Sequence, residues 1–152
     1  MKILIVEDDE FKLENVSSAV GQCVPAAAML YARSIVSSLK AIEEHRDIGL
    51  VILDMSLPTY DVGPKESGGR PQGFGGLTVM QHLDALDRKV PVIVVTQFLS
   101  FEEGDEILEL EDVRKMLSVE HGAQFAGLIQ YSGGSESWRD ELARILCKVV
   151  SK

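Results

Sequence analysis

The chain has 152 residues, a formal charge of −9, and a composition that is 45% hydrophobic and 26% charged. That length fits one domain with a single core. So acidic a balance argues against nonspecific binding to nucleic acid or to an anionic membrane. No apolar run approaches a membrane span or a signal peptide, so a cytoplasmic protein is expected. Cys23 and Cys147 sit inside apolar helical patterns and form no CxxC pair. Buried, reduced thiols are expected of them.

The elements follow in chain order. Ile3 to Val6 is a continuous β-branched run, as expected of a strand covered on both faces. Phe11 to about Val24 has helical spacing through Phe11, Val16, Ala19, Val20 and Cys23. Ala27 to Ala32 is a weaker strand candidate. Ser34 can cap a helix whose stripe is Ile35, Leu39 and Ile42. Leu50 to Leu53 is the second strong strand. Residues 59–75 hold Gly63, Pro64, Gly68, Gly69, Pro71, Gly73 and Gly75, and read as an inserted loop between core elements. Leu77, Met80 and Leu83, with Leu86 as an optional fourth, mark the third helix. Val90 to Thr96 is a further strand. An acidic, extended region follows at about 98–121; Ile107, Leu110, Val113 and Leu117 recur in it, and it reads as one long helix. Gly127 to Gln130 is the last strand. Ser135 or Ser137 caps a final helix carrying Trp138, Leu142, Ile145, Leu146 and Val149. Trp138 and Cys147 are expected to face the core. His45, His82 and His121 are expected at the surface or at helix ends. Strands alternating with helices imply an α/β, doubly wound, parallel five-stranded sheet.

In such a sheet, ligands bind beyond the carboxyl ends of the strands. There the first strand runs into Glu7-Asp8-Asp9, the third into Asp54 and the fourth ends in Thr96. Clustered carboxylates need a cation, and hard oxygen ligands suit Mg²⁺. An Asp beside Mg²⁺ can act as a nucleophile on phosphorus. Asp8 or Asp9 could instead do no more than cap the first helix. Thr is also a common strand residue, so Thr96 alone says little. The combination is more specific than any member.

These residues resemble the response-regulator receiver domains of two-component signalling. The resemblance rests on Ile3-Leu4-Ile5-Val6-Glu7-Asp8-Asp9 and on Val51-Ile52-Leu53-Asp54-Met55-Ser56-Leu57-Pro58. Gly76-Leu77 with Met80-Gln81-His82-Leu83, and Val92 to Thr96, extend it over nearly the whole chain. It implies a flavodoxin-like (βα)5 fold with strand order 2-1-3-4-5 and a single, stand-alone domain over 1–152. Asp54 would be the phosphoacceptor and a metal ligand. Glu7 and Asp8 would hold Mg²⁺, with Asp8 the more direct ligand and Asp9 peripheral. The backbone carbonyl of Ser56 would complete the set, and Thr96 would supply the switch hydroxyl. The phosphoryl donor would be a sensor histidine kinase or a phosphotransfer protein. A downstream protein would dock on the face built by the fourth helix, last strand and last helix. The chain would be a signalling receiver, not an enzyme, with no direct nucleic-acid or membrane binding.

Three departures from the family stand out. The family usually ends its last strand with a Lys; here Gln130 is the best match and Tyr131 the second. Lys65 or Arg70 of the inserted loop could supply the missing cation. The 59–75 insertion beside the pocket reads as a tolerated surface loop, with a lid or docking loop as the other reading. Gln97 stands where the family tends to have a small residue, and the acidic region after it could select a basic partner. Three functions follow: a phosphoacceptor on Asp54, a receiver-like interaction module that works without phosphorylation, or an Asp-nucleophile phosphohydrolase. The last lacks an acid–base Asp two residues after Asp54.

Overall fold

The computed structural model describes residues 1–61, 75–97, 100–103 and 106–151. Three strands match the strong apolar runs, β1 (Lys2–Val6), β3 (Ile48–Leu53) and β4 (Val92–Thr96), and the short final candidate forms β7 (Phe125–Gln130). The weaker candidate forms β2 (Ala28–Ala32) at the sheet edge. The five pair in parallel in the order β2-β1-β3-β4-β7. This is the expected 2-1-3-4-5 order, with the fifth expected strand now numbered β7.

Alternate residues of each strand feed two apolar layers, as the pleat requires. Leu4, Val6, Val51, Leu53, Val92 and Val94 face α2 (Ile35–Glu44), α3 (Gly75–Ala85) and α4 (Leu110–Glu120). Ile3, Ile5, Leu50, Ile52, Ile93 and Val95 face α1 (Glu10–Cys23) and α5 (Ser137–Val150). Helices thus cover both faces, which is why the strands read as unbroken apolar runs.

Local signals set the helix starts. Asp9 caps α1 by accepting from the Lys12 amide at 3.0 Å. Ser34 caps α2 in a reciprocal pair with Ser37. Neither Ser135 nor Ser137 caps α5, whose N-cap is Glu136; Ser135 instead accepts from the Ser137 amide at 3.2 Å.

The region after Thr96 differs from the expected long helix. An antiparallel hairpin, β5 (Ser100–Glu103) and β6 (Glu106–Glu109), precedes α4. Glu103 pairs with Glu106, so only Gly104 and Asp105 connect the strands. Cross-strand pairing from Ser100 with Glu109 to Glu103 with Glu106 takes up this stretch, so the helical recurrence of Ile107 with Leu110 becomes helix only from Leu110 on. The inserted loop lies mostly outside the described residues, as do Lys65 and Arg70.

Both thiols depart from expectation. Cys23 and Cys147 are exposed. Each falls at the edge of its helix's apolar stripe, where neighbouring positions carry the burial: Ala19 and Val20 on α1, Leu142 and Leu146 on α5. Trp138 is buried against Tyr131, their ring centres 4.9 Å apart. The histidines sit on or beside helix ends: His45 and His121 cap α2 and α4, and His82 lies in the last turn of α3. His121 is nevertheless buried, with Nδ1 2.6 Å from Asp84.

Candidate phosphoacceptor site

Asp54 follows directly on β3, and its amide donates to the Val6 carbonyl of β1 at 3.1 Å. That bond extends the β1–β3 ladder to the residue facing the acidic run. Leu53 pairs with Val94 on β4, so the register brings Asp54 level with Val95, one residue before Thr96. Asp54 is 4% exposed, a depth at which a carboxylate needs partners. The Ser56 amide, in the turn beyond, donates to Asp54 Oδ1 at 3.3 Å.

Glu7, Asp8 and Asp54 offer carboxylate oxygens that all lie within 4.8 Å of one another. Three hard oxygen donors at that spacing fit a divalent cation. Their roles differ. Glu7 is buried, and its Oε2 accepts from the amides of Asp8 at 2.9 Å and Asp9 at 3.3 Å. Asp8 is not buried. Asp9 turns away to cap α1. The capping role that sequence left open for either aspartate therefore falls to Asp9.

A residue that sequence reasoning passed over completes the site. Lys12, in the first turn and a half of α1, is 2% exposed. Its ammonium lies against Glu7 Oε1, 3.1 Å from Asp54 Oδ2, and donates to the Val95 carbonyl at 2.8 Å. It also stands 5.7 Å from the ring centre of Tyr131. Open space among Lys12, Glu7, Asp54 and Val95 amounts to about 10 Å³, room for one water at most. The signal was present in the sequence. Lys12 is one turn before Val16 and two before Ala19, on the stripe that packs on the sheet. Phe11, the aromatic assigned to that stripe, is exposed.

The other expected residues fall as follows. Thr96 is buried at the end of β4, and its carbonyl accepts from the Tyr131 amide at 2.7 Å. Gln130 pairs in register with Thr96 but is exposed. Tyr131 is buried, and its hydroxyl accepts from Asn15 at 3.0 Å. Among the described residues, Lys12 is the cation ion-paired with Asp54.

Burial, and next the charge of Asp54, push the Glu7 carboxyl from its ordinary 4.5 up to about 8; Lys12 opposes both. Between those values the folded protein holds a proton that the unfolded chain has lost. The contribution of Glu7 to stability is therefore greatest below about pH 4.5 and is lost as pH rises through about 8. Urea midpoints of metal-free wild type and Glu7→Gln check this. The wild type should lose ground against the variant between pH 5 and pH 8. A difference independent of pH would contradict it.

Gly76 opens the way for α3. Its amide donates to the Met55 carbonyl at 2.9 Å, holding the helix start against the turn after Asp54. A Cβ there would lie 2.5 Å from the Asp54 carbonyl oxygen and 2.9 Å from Met55 Cα. Both are backbone atoms that cannot swing aside. Gly76→Ala is expected to cost about 1–3 kcal/mol in denaturant titration.

Comparisons with known proteins agree with this architecture. No family model matches the chain. Two curated relatives are Detocs response regulatory proteins DtcB. That of Enterobacter cloacae (strain JD6301) is 23% identical over 145 residues, covering 95% of this chain and 97% of the relative. That of Vibrio alginolyticus is 24% identical over 147 residues, covering 95% and 98%. A CheY-like response regulator receiver domain protein from Methanospirillum hungatei superposes with a TM-score of 0.63 at 20% identity, covering 99% of this chain and 94% of that one. This chain has the receiver-domain fold. A CheX–CheY complex with BeF3 and Mg²⁺ from Borrelia burgdorferi matches at a TM-score of 0.66 and 16% identity, covering 100% of this chain and 90% of that one. Among the described residues, no helix is long and apolar enough to cross a membrane.

Proposed function

We propose that this chain is a receiver that accepts a phosphoryl group on Asp54 in a two-component phosphorelay, acting as a signalling protein and not as an enzyme. The observation that carries the reading is the convergence of Glu7, Asp8 and Asp54 oxygens within 4.8 Å at the carboxyl ends of β1 and β3. Asp8, Asp54 and Glu7 would hold Mg²⁺, with the Ser56 carbonyl as the expected fourth donor; bound there, the ion would offset charge on the incoming phosphoryl oxygens. Asp54 supplies the nucleophilic oxygen. The buried surroundings keep water from competing, and Thr96 offers a hydroxyl beside the new group. The response regulatory relatives support the relay role. The donor would be a sensor histidine kinase or a phosphotransfer protein in the cytoplasm.

Output would pass to a protein partner on the α4–β7–α5 face, by a shift in population between two arrangements of that face. The sequence entering this face is acidic, with Glu109, Glu111 and Asp112 at the start of α4. A basic partner surface suits it.

One observation favours a second reading, a receiver-like module that works without phosphorylation. Lys12 already neutralises charge at Glu7 and Asp54, while Gln130 brings none. Incubation with Mg²⁺ and acetyl phosphate, followed by intact-mass measurement, separates the two. The phosphoacceptor reading expects a gain of one phosphoryl group. No gain, together with no Mg²⁺ binding, would leave the module reading in its place.

A further inference from the structure

We propose that Lys12 of α1 is the cation that receives the phosphoryl group on Asp54. The inference rests on the phosphoacceptor reading and names the residue that makes its chemistry possible.

The transfer step sets the requirement. An Asp54 carboxylate oxygen attacks phosphorus, and an Oδ–P bond forms as the bond from phosphorus to the leaving group breaks. From acetyl phosphate, acetate departs with the bonding pair. From a phosphohistidine, the imidazole nitrogen keeps the pair and takes a proton from solvent. Either way a dianionic group arrives beside Glu7 and Asp8, in a site already rich in negative charge. It needs a positive donor at hand.

At the end of the last strand Gln130 is neutral and exposed, and Tyr131 is committed to Asn15 and Trp138. Lys12 meets the need from the other side. Its Nζ is 3.1 Å from Asp54 Oδ2, within reach of any group bonded to that carboxylate. The bond to the Val95 carbonyl fixes the ammonium one residue before Thr96. The cation is therefore anchored to the strand that carries the hydroxyl, and Tyr131 lies alongside. An ammonium has three donors, and three acceptors from β4 and the ends of β1 and β3 surround it. A plain surface lysine would not be held in this way. On transfer, the donor now facing Asp54 Oδ2 passes to a phosphoryl oxygen, while the bonds to Glu7 and Val95 keep it in place.

The test uses the full chain, with Mg²⁺ and beryllofluoride as a tetrahedral stand-in for the phosphoryl group, and acetyl phosphate for transfer itself. In wild type, the side-chain ¹⁵N resonance of Lys12 should move when beryllofluoride is added, and it should not move in Asp54→Asn. Lys12→Met should bind beryllofluoride at least about tenfold more weakly and take up phosphate correspondingly more slowly. Lys12→Arg, which keeps a cation, should recover much of both. A role confined to holding α1 would change the melting point of Lys12→Met without changing affinity or transfer rate.

Suppose wild type binds beryllofluoride and takes up phosphate, but the Lys12 resonance stays still or folded Lys12→Met behaves as wild type. The Lys12 assignment then falls and the phosphoacceptor reading stands. A wild type that does neither overturns both.

Discussion

Lys12→Met should lower the stability of the folded protein by about 3–5 kcal/mol, the usual cost of removing one partner from a buried charge network. Methionine keeps most of the apolar stem of lysine, so packing against the sheet changes little. What goes is the ammonium. Glu7 and Asp54, 3% and 4% exposed, are then left facing each other with no cation between them. The Val95 carbonyl loses its donor as well. The loss should shrink in the background of Asp54→Asn, since the charge facing Glu7 is gone. That non-additivity is the signature of groups acting on each other. Urea titrations of the four proteins in this cycle measure it. A loss below about 1 kcal/mol would mean that the ammonium is not held as described.

Asp54→Asn should abolish phosphoryl uptake altogether. The amide retains the shape of the carboxylate and can still accept from Ser56, but it lacks the nucleophilic charge. Two neighbouring carboxylates are already engaged. Glu7 is turned inward to Lys12 and to its own following amides, and Asp9 caps α1. The fold should survive, because the change relieves repulsion against Glu7, the second largest cause of its raised pKa. The expected result is no mass gain from acetyl phosphate, with a urea midpoint at or above that of wild type. A gain equal to that of wild type would place the acceptor elsewhere.

Much of this architecture was legible from residue order. Unbroken β-branched runs at Ile3, Leu50 and Val92 specify strands covered on both faces, and their number and spacing lead to the parallel sheet. The carboxylates at Glu7, Asp8 and Asp54 could be assigned to the carboxyl ends of neighbouring strands because that is where such a sheet places the residues after a strand. Two things were harder to read. The hairpin at 100–109 has helical recurrence in its apolar residues, and only Gly104-Asp105 argues for a turn. Lys12 was hidden by its own chemistry. Lysine is the residue least expected inside, so periodicity counting skipped it and took the neighbouring Phe11 instead. Yet a lysine in register with Val16 and Ala19, three to five residues after Glu7-Asp8-Asp9, can be buried only if carboxylates neutralise it. Reading a charged residue on an apolar stripe as a partner for charges elsewhere would have found it. Lys65 and Arg70 are near Asp54 in sequence, but the cation paired with Asp54 among the described residues comes from α1.

The central claim is that Asp54 forms an acyl phosphate. Borohydride reduction after acetyl phosphate treatment converts an aspartyl phosphate to homoserine, and peptide mapping then reads the position directly. The account predicts homoserine at position 54 and nowhere else, and none without Mg²⁺. Homoserine at another aspartate, or none anywhere in a folded wild type, would contradict it.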